Sequence, residues 1–280
     1  MTDSSKSASP PVVRLNLRRA LACWRGLLNP VKNHEQFLEL IFAVAGPGFE
    51  RSYDRFRESP DGQQLLEDRP DIVDVLTDAD RLRSCPKGSL GHAYLDFMGQ
   101  NRLDAGLYDN THHDLPAIAA RLGWDDDFHY IVHRGIAIHD VMHVLGGYGP
   151  DVGGEFGVLG FTHGQVDARM TAGTVGILMT APLGVRRSQR LRWWRESVKR
   201  GRDANLLFAA PFENLLDQSL TEVRTLLHIA DDAAAHPDGH LYSRFQFGTR
   251  RSRQAAHAYA PYRYDPERDH AAAPADSVEA

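Results

Sequence analysis

Between residues 136 and 165 the chain reads IAIHDVMHVLGGYGPDVGGEFGVLGFTHGQ: an apolar helical stretch, a glycine-rich reversal and a second apolar stretch. No other segment constrains the fold as tightly. His139 and His143 stand four residues apart, so on a helix both imidazoles leave the same face, about 40° apart around the axis. Gly146 and Gly147 end that helix, and the turn through residues 147–154 lets Glu155, which opens the next helix, return beside the first. This brings a carboxylate to an imidazole pair. Two neutral imidazoles and a carboxylate are a ligand set for zinc or non-haem iron, with no sulfur to favour copper or a cluster. Asp140 points about 100° from His139, which makes it either a fourth ligand or an acid/base group beside the metal.

The rest of the chain points to helices as well. Residues 35–45 form an apolar helix stopped by Gly46-Pro47-Gly48, and 49–57 form another, ended by a turn at Ser59-Pro60-Asp61-Gly62. Further helices are expected at 71–76 and 89–101, and from Phe128 onward behind Asp125, Asp126 and Asp127, whose charge suits a helix N-terminus. Residues 188–199 give a basic helix carrying Trp193 and Trp194. Pro211 opens a last helix whose apolar positions Phe212, Leu215, Leu216, Leu220, Val223, Leu226 and Leu227 follow the helical period. No segment alternates with a period of two. The expected fold is therefore all-α, a single multi-helix domain at 13–230 with the metal site between two adjacent helices. Residues 1–12 and 231–280 read as disordered or loosely packed, because 231–280 hold only Leu241, Phe245, Phe247 and Val278 among the large aliphatic residues and phenylalanine.

Composition removes several function classes. The chain has 32 basic and 37 acidic residues, which leaves no excess of positive charge for nucleic acid. Cys23 and Cys85 can build neither a disulfide framework nor a zinc knuckle. The longest apolar run, 172–185, is too short for a membrane span and contains Pro182. The N-terminus lacks the apolar core of a secretory signal. Residues 12–32 carry Arg14, Arg18, Arg19, Arg25 and Lys32 without an acid, on a helix that either docks on an anionic membrane surface or packs on the core. No P-loop, GxGxxG or GxSxG motif is present.

The pattern HDxxH, eleven residues, then Glu, made by His139, Asp140, His143 and Glu155, resembles the metal motif of the fourth Coq protein family of coenzyme Q (ubiquinone) biosynthesis. The segment 85–94 is similar to the family's PxGSLGxxY, 59–70 to its Gly-x-x-Leu-x-x-x-Pro region, and 202–224 to its C-terminal helix pair. Arg134 stands where the family has an arginine five residues before the first histidine. His163 matches no family function.

The resemblance implies an all-helical metalloenzyme, a carboxy-lyase that removes the ring carboxylate of a 4-hydroxy-3-polyprenylbenzoate, with or without hydroxylation at the same carbon. It implies a divalent metal, zinc by family likeness with iron as the alternative, held by His139, Asp140, His143 and Glu155. Asp140 and Arg134 become catalytic candidates, Arg134 either steering the substrate carboxylate or making a surface ion pair. Expected partners are the prenylated substrate, a membrane surface, other coenzyme Q biosynthesis enzymes and further copies of this chain, with no nucleic acid. The expected place is peripheral on the cytoplasmic face of the cell membrane, or the matrix side of the mitochondrial inner membrane in a eukaryote. A long prenyl tail calls for an apolar groove. Gly157, Gly160 and Gly164, with Gly173, Gly176 and Gly184, offer small surface for one, or else serve tight helix packing. A non-catalytic polyprenyl-lipid-binding scaffold is the competing reading. A third, a hydrolase like the HExxH metalloproteases, is weakened by Asp140 in place of the longer Glu.

Overall fold

Short polar side chains set where the helices begin. In the computed structural model, which describes residues 16–23, 36, 39–40, 42–43, 48–101, 103, 115–149, 152–166 and 187–230, helix α1 spans Leu17–Cys23 and α2 spans Gly48–Glu58. Ser59 then caps α3 (Pro60–Asp68), its hydroxyl accepting from Gly62 N at 3.0 Å with Pro60 at the first helical position. The Ser-Pro-Asp-Gly sequence is thus a helix start, not the closing turn expected from it. Asp71 caps α4 (Ile72–Thr77) and Asp78 caps α5 (Ala79–Ser84) in the same way. The helices α6 (Leu90–Asn101), α7 (Leu115–Leu122) and α8 (Asp126–Ala137) follow, the last capped by Asp125 accepting from Phe128 N at 2.7 Å.

The segment 136–147 is not one continuous helix. Ile138 closes α8 and α9 starts afresh at His139, running His139–Gly146. Every residue of α9 after His139 is buried. Gly147 ends it in the left-handed region at φ 67°, where a side chain would be strained. Its N–H reaches Val144 O, and Tyr148 N donates to His143 O at 3.0 Å, the paired closure of a Schellman turn. The carbonyls at this end also receive guanidinium groups from far along the chain. Arg224 donates to Leu145 O and Val144 O, both at 3.0 Å, and Arg200 to Gly146 O at 3.1 Å.

Helix α10 (Val152–Val166) comes back across α9, and α11 (Arg187–Asp203) lies against α10 in the most extensive helix pairing among the described residues. Gly160 faces Trp194 and Ser197, while Gly164 faces Val198, Gly201 and Arg202, so the two helices run parallel. Backbones touch here. A Cβ on Gly164 would stand 2.4 Å from Val198 O, and one on Gly201 would stand 2.0 Å from Phe161 O. Gly157, Gly160 and Gly164 therefore serve helix packing and the seat of Tyr148. Gly173, Gly176, Gly184 and the run 172–185 lie outside the described residues.

The end of α10 is pinned on three sides. Ser52 and Arg55 of α2 donate to Val166 O and Gln165 O, at 3.2 and 2.8 Å. The buried Gln165 side chain donates to Gly201 O and accepts from Leu207 N at 2.7 Å. Beyond α11 the chain forms 3-10 turns at Leu207–Ala209 and Phe212–Asn214, then α12 (Leu220–Leu226). The single helix expected from Pro211 is thus divided, because Ser219 starts a new one with a capping box to Glu222. Residues 216–218 also receive the free N–H groups at the start of α6, Leu90 N to Gln218 O and Gly91 N to Leu216 O, both 2.9 Å. The fold is all-helical; among the described residues the only β feature is one isolated bridge, Ser89 with Ser219. In α1, Arg19 is drawn inward onto Glu39 at 2.9 and 3.1 Å, while Leu17 and Leu21 stay exposed. The other basic residues of 12–32, apart from Arg18, lie outside the described residues, as do 1–12 and 231–280.

The glycine seam predicts opposite effects of one substitution at two places. Gly201→Ala should destabilise by roughly 1–3 kcal/mol through overpacking, whereas Gly99→Ala, exposed on α6 with nothing within 4 Å, should stabilise by roughly 0.5–1 kcal/mol. Urea unfolding midpoints of both variants check this, and equal shifts would contradict the close approach of α10 and α11.

Candidate metal centre

The break at Ile138 puts His139 in the first turn of α9 and His143 one turn later, and the reversal through Gly147 carries Glu155 on α10 to the same place. The two imidazole Nε2 atoms are 3.2 Å apart. Glu155 lies 3.3 Å from His139 Nε2 through one carboxylate oxygen and 3.6 Å from His143 Nε2 through the other. Asp140 joins the group, its carboxylate and the two histidines offering ligand atoms within 4.8 Å of one another. All four residues expected at the site are brought together.

The surroundings grade from closed to open. The His143 side chain is 1% exposed and stacks on Phe97 of α6 with ring centroids 5.5 Å apart. Asp140 is also buried. On the other side, His139 and Glu155 are 26% and 36% exposed, so the cluster can be reached from that face.

His143 Nδ1 lies 3.3 Å from Tyr148 O, and a carbonyl can only accept, so Nδ1 carries the hydrogen and Nε2 of the neutral ring presents a lone pair. That lone pair meets a second imidazole nitrogen and a carboxylate, and only a proton or a cation relieves the convergence. The ionisation preferences follow. Burial pushes the Glu155 carboxyl up, but when the two imidazoles are protonated in the absence of an ion, their charges and hydrogen bonds outweigh it and hold Glu155 below the ordinary carboxylate range. Burial would lower His139, yet its hydrogen bond and charge interaction with Glu155 raise it. Asp140 is raised, chiefly by burial, which its histidine neighbours only partly offset.

The donor set fits a divalent ion. Ligand atoms ~2.0–2.1 Å from a shared tetrahedral ion stand roughly 3.3–3.4 Å apart, close to the separations among His139, His143 and Glu155. His139, His143 and Glu155 could hold such an ion, with Asp140 near enough to be a fourth donor.

A family model described as coenzyme Q (ubiquinone) biosynthesis protein Coq4 matches residues 17–232. The chain belongs to the Coq4 family. It is 30% identical over 181 residues to the mitochondrial ubiquinone biosynthesis protein COQ4 homolog of Homo sapiens, which covers 63% of each protein. Against the mitochondrial COQ4 of Meyerozyma guilliermondii it is 28% identical over 182 residues, 64% of this chain and 54% of that protein. The matched part thus spans less than two thirds of these relatives. A crystal structure from Nostoc punctiforme, of a protein described as a candidate ubiquinone biosynthesis protein, superposes with a TM-score of 0.54 at 18% identity, covering 76% of this chain and 98% of that one. That likeness is one of fold. Among the described residues of this Coq4-family chain, no helix is long and apolar enough to cross a membrane.

Arg134 has partners outside this cluster. It is 1% exposed on α8, with Nε donating to Phe208 O at 3.1 Å, Nη2 to Ala210 O at 2.6 Å, and both Nη atoms to the Glu213 carboxylate at 2.5 and 2.9 Å. These contacts give no support to Arg134 as a group that steers a substrate carboxylate. They make it an ion pair, in the interior instead of on the surface, that ties α8 to the 3-10 turns. His163 stacks on Trp194 at 6.2 Å. Tyr148, Arg200 and Phe97, which support the site, were not singled out from sequence. A large aromatic alone in a run of glycines was the available signal for Tyr148.

Arg134→Ala should therefore destabilise the Coq4-family fold by about 3 kcal/mol or more, because Glu213 loses its partner in a largely buried position. Chemical denaturation measures it. Unchanged stability with weakened substrate binding would return Arg134 to the catalytic candidates.

Proposed function

We propose that this chain acts in ubiquinone biosynthesis as a metal-dependent carboxy-lyase that removes the ring carboxylate of a 4-hydroxy-3-polyprenylbenzoate. Its own Coq4-family membership and its COQ4 relatives support the pathway. The observation that carries the chemistry is the convergence of His139, His143 and Glu155 at 3.2, 3.3 and 3.6 Å, with Asp140 beside them and one face accessible. His139, His143 and Glu155 would hold a divalent ion, zinc or iron, which two imidazoles and a carboxylate suit. When bound, the ion supplies a Lewis acid that draws in substrate oxygens and stabilises charge developing on the ring.

The remaining work falls to side chains. The ring carbon that bears the carboxylate must accept a proton before its bond to the carboxylate breaks. Asp140, buried beside the imidazoles, is placed to carry it. The phenol oxygen para to that carbon takes carbonyl character as the proton arrives, and the electron pair of the carbon–carbon bond then returns to the ring, which releases carbon dioxide and restores the phenol. The oxidative form of the reaction, which adds a hydroxyl at the same carbon, needs dioxygen and a two-electron donor as co-reactants, one oxygen atom entering the ring and the other leaving as water. A prenylated substrate places the work at a bilayer surface, with the protein peripheral and with other coenzyme Q enzymes and further copies of this chain as partners.

The scaffold reading has one observation in its favour. Asp140 lies close enough to the histidines to close the coordination shell as a fourth protein donor, which is the form of structural sites.

Two measurements separate these readings. The wild-type protein should bind one divalent ion and gain about 2.7 kcal/mol of stability at a hundredfold excess over Kd, while His143→Ala and Glu155→Gln should lose that gain in thermal melts. The metal-loaded protein should then release carbon dioxide from a prenylated 4-hydroxybenzoate. Product formed without oxygen means simple decarboxylation, and product formed only with oxygen means the oxidative route. Asp140→Asn should keep the ion and lose turnover if Asp140 carries the proton. Absence of turnover by either route, together with full activity of His139→Ala in cells, would remove the enzymatic reading.

A further inference from the structure

Tyr148 is tied to His143 twice through its backbone. Its N–H donates to His143 O at 3.0 Å as part of the turn that ends α9, and its own carbonyl receives His143 Nδ1 at 3.3 Å. The second bond decides which imidazole nitrogen faces Glu155. The place of that carbonyl depends on the Tyr148 side chain, which is 2% exposed. Its ring lies between Gly146 and Gly157, and a Cβ on either glycine would stand 2.4 Å from a ring carbon. The hydroxyl donates to Ser197 Oγ at 3.1 Å and accepts from Arg200 Nη1 at 2.8 Å, and the Arg200 guanidinium also lies over the ring at 5.2 Å from its centroid. Arg200 in turn holds Gly146 O and Ala230 O, at 3.1 and 3.2 Å.

We infer that Tyr148 is a positioning residue for His143: its wedged ring and anchored hydroxyl fix the carbonyl that keeps the hydrogen on Nδ1 and leaves the Nε2 lone pair directed at the candidate metal centre. The inference rests on the metal reading of that centre, but it concerns the chain's own hydrogen bonds. Groups that orient a metal-binding histidine through its other nitrogen carry about 10–100-fold in affinity. The small residues around Tyr148 have a purpose on this account. Gly146 and Gly157 make the slot, and Ser197 and Arg200 close its far end from the neighbouring helix α11.

The test uses the full chain, zinc ion as probe, and imidazole 15N shifts that distinguish the two neutral tautomers. In the wild type His143 should carry its hydrogen on Nδ1. Tyr148→Phe keeps the wedge and loses the anchor, so zinc affinity should fall severalfold. Tyr148→Leu loses both, so affinity should fall by about 10–100-fold and the second tautomer should appear at His143. Leu82→Ala, a buried residue of α5, controls for destabilisation and should leave affinity and tautomer unchanged. Zinc binding and tautomer in both Tyr148 variants indistinguishable from wild type would overturn the assignment while leaving the metal reading intact. A wild type that binds no zinc or iron would overturn the metal reading, and the tautomer at His143 in wild type and Tyr148→Leu would still decide the role of Tyr148.

Discussion

The C-terminal end of α9 is where this structure had to solve its hardest problem. A helix buried along almost its whole length ends with carbonyls that have no partner within the helix, and leaving them dry costs about 1–3 kcal/mol each. Local chemistry supplies part of the answer through Gly147 and Tyr148, and Arg200 and Arg224 supply the rest. These two arginines come from α11 and α12, so the last described helices help hold the frame of the candidate centre. Cations at a helix C-terminus also oppose the negative end of its dipole. The same contacts therefore stabilise α9 and fix the frame that carries His139 and His143.

That frame explains the tight α10–α11 pair. Glu155 meets two imidazoles only if α10 lies at a fixed distance from α9, and α10 is held from behind by a partner whose backbone touches its own. Glycines at 160, 164 and 201 make that approach possible, since side chains would force the helices apart. Gln165 and the α2 residues Ser52 and Arg55 then stop α10 from sliding along its axis. Small residues that look in sequence like room for a lipid chain are here filled by neighbouring helices.

Local signals were legible in the sequence. Asp125 before Phe128, Asp71 before Ile72 and Gly147 after Gly146 each act within a few residues, and each marks a helix end where it was expected. The gathering of His139, Asp140, His143 and Glu155 was legible for the same reason, because only a helix, a short reversal and a second helix separate them. Distant partnerships were not. Glu213 stands 79 residues from Arg134, and nothing in the local pattern shows that a buried carboxylate awaits that arginine. Periodicity also misled where a strong cap interrupts it, as Ser219 does in the apolar series after Pro211, and the turn residues Ser59-Pro60-Asp61-Gly62 misled because they also make a helix start. Apolar spacing reports which face is buried, while a side-chain oxygen at the right place decides where the backbone turns.

The two histidines differ in a way their spacing conceals. His143 is sealed by Phe97, tied to Tyr148 at its far nitrogen and all but inaccessible, while His139 in the first turn of α9 and Glu155 stand at the open face. Under the proposed function this asymmetry divides the labour. A rigid inner donor sets the position of the ion, and the outer pair leaves the side from which a bulky ring could approach. The break at Ile138 contributes to that arrangement. It places His139 at a helix start, where its ring is partly exposed. A local interruption of regular structure thus coincides with the open face of the centre, while His143 and Asp140 are buried.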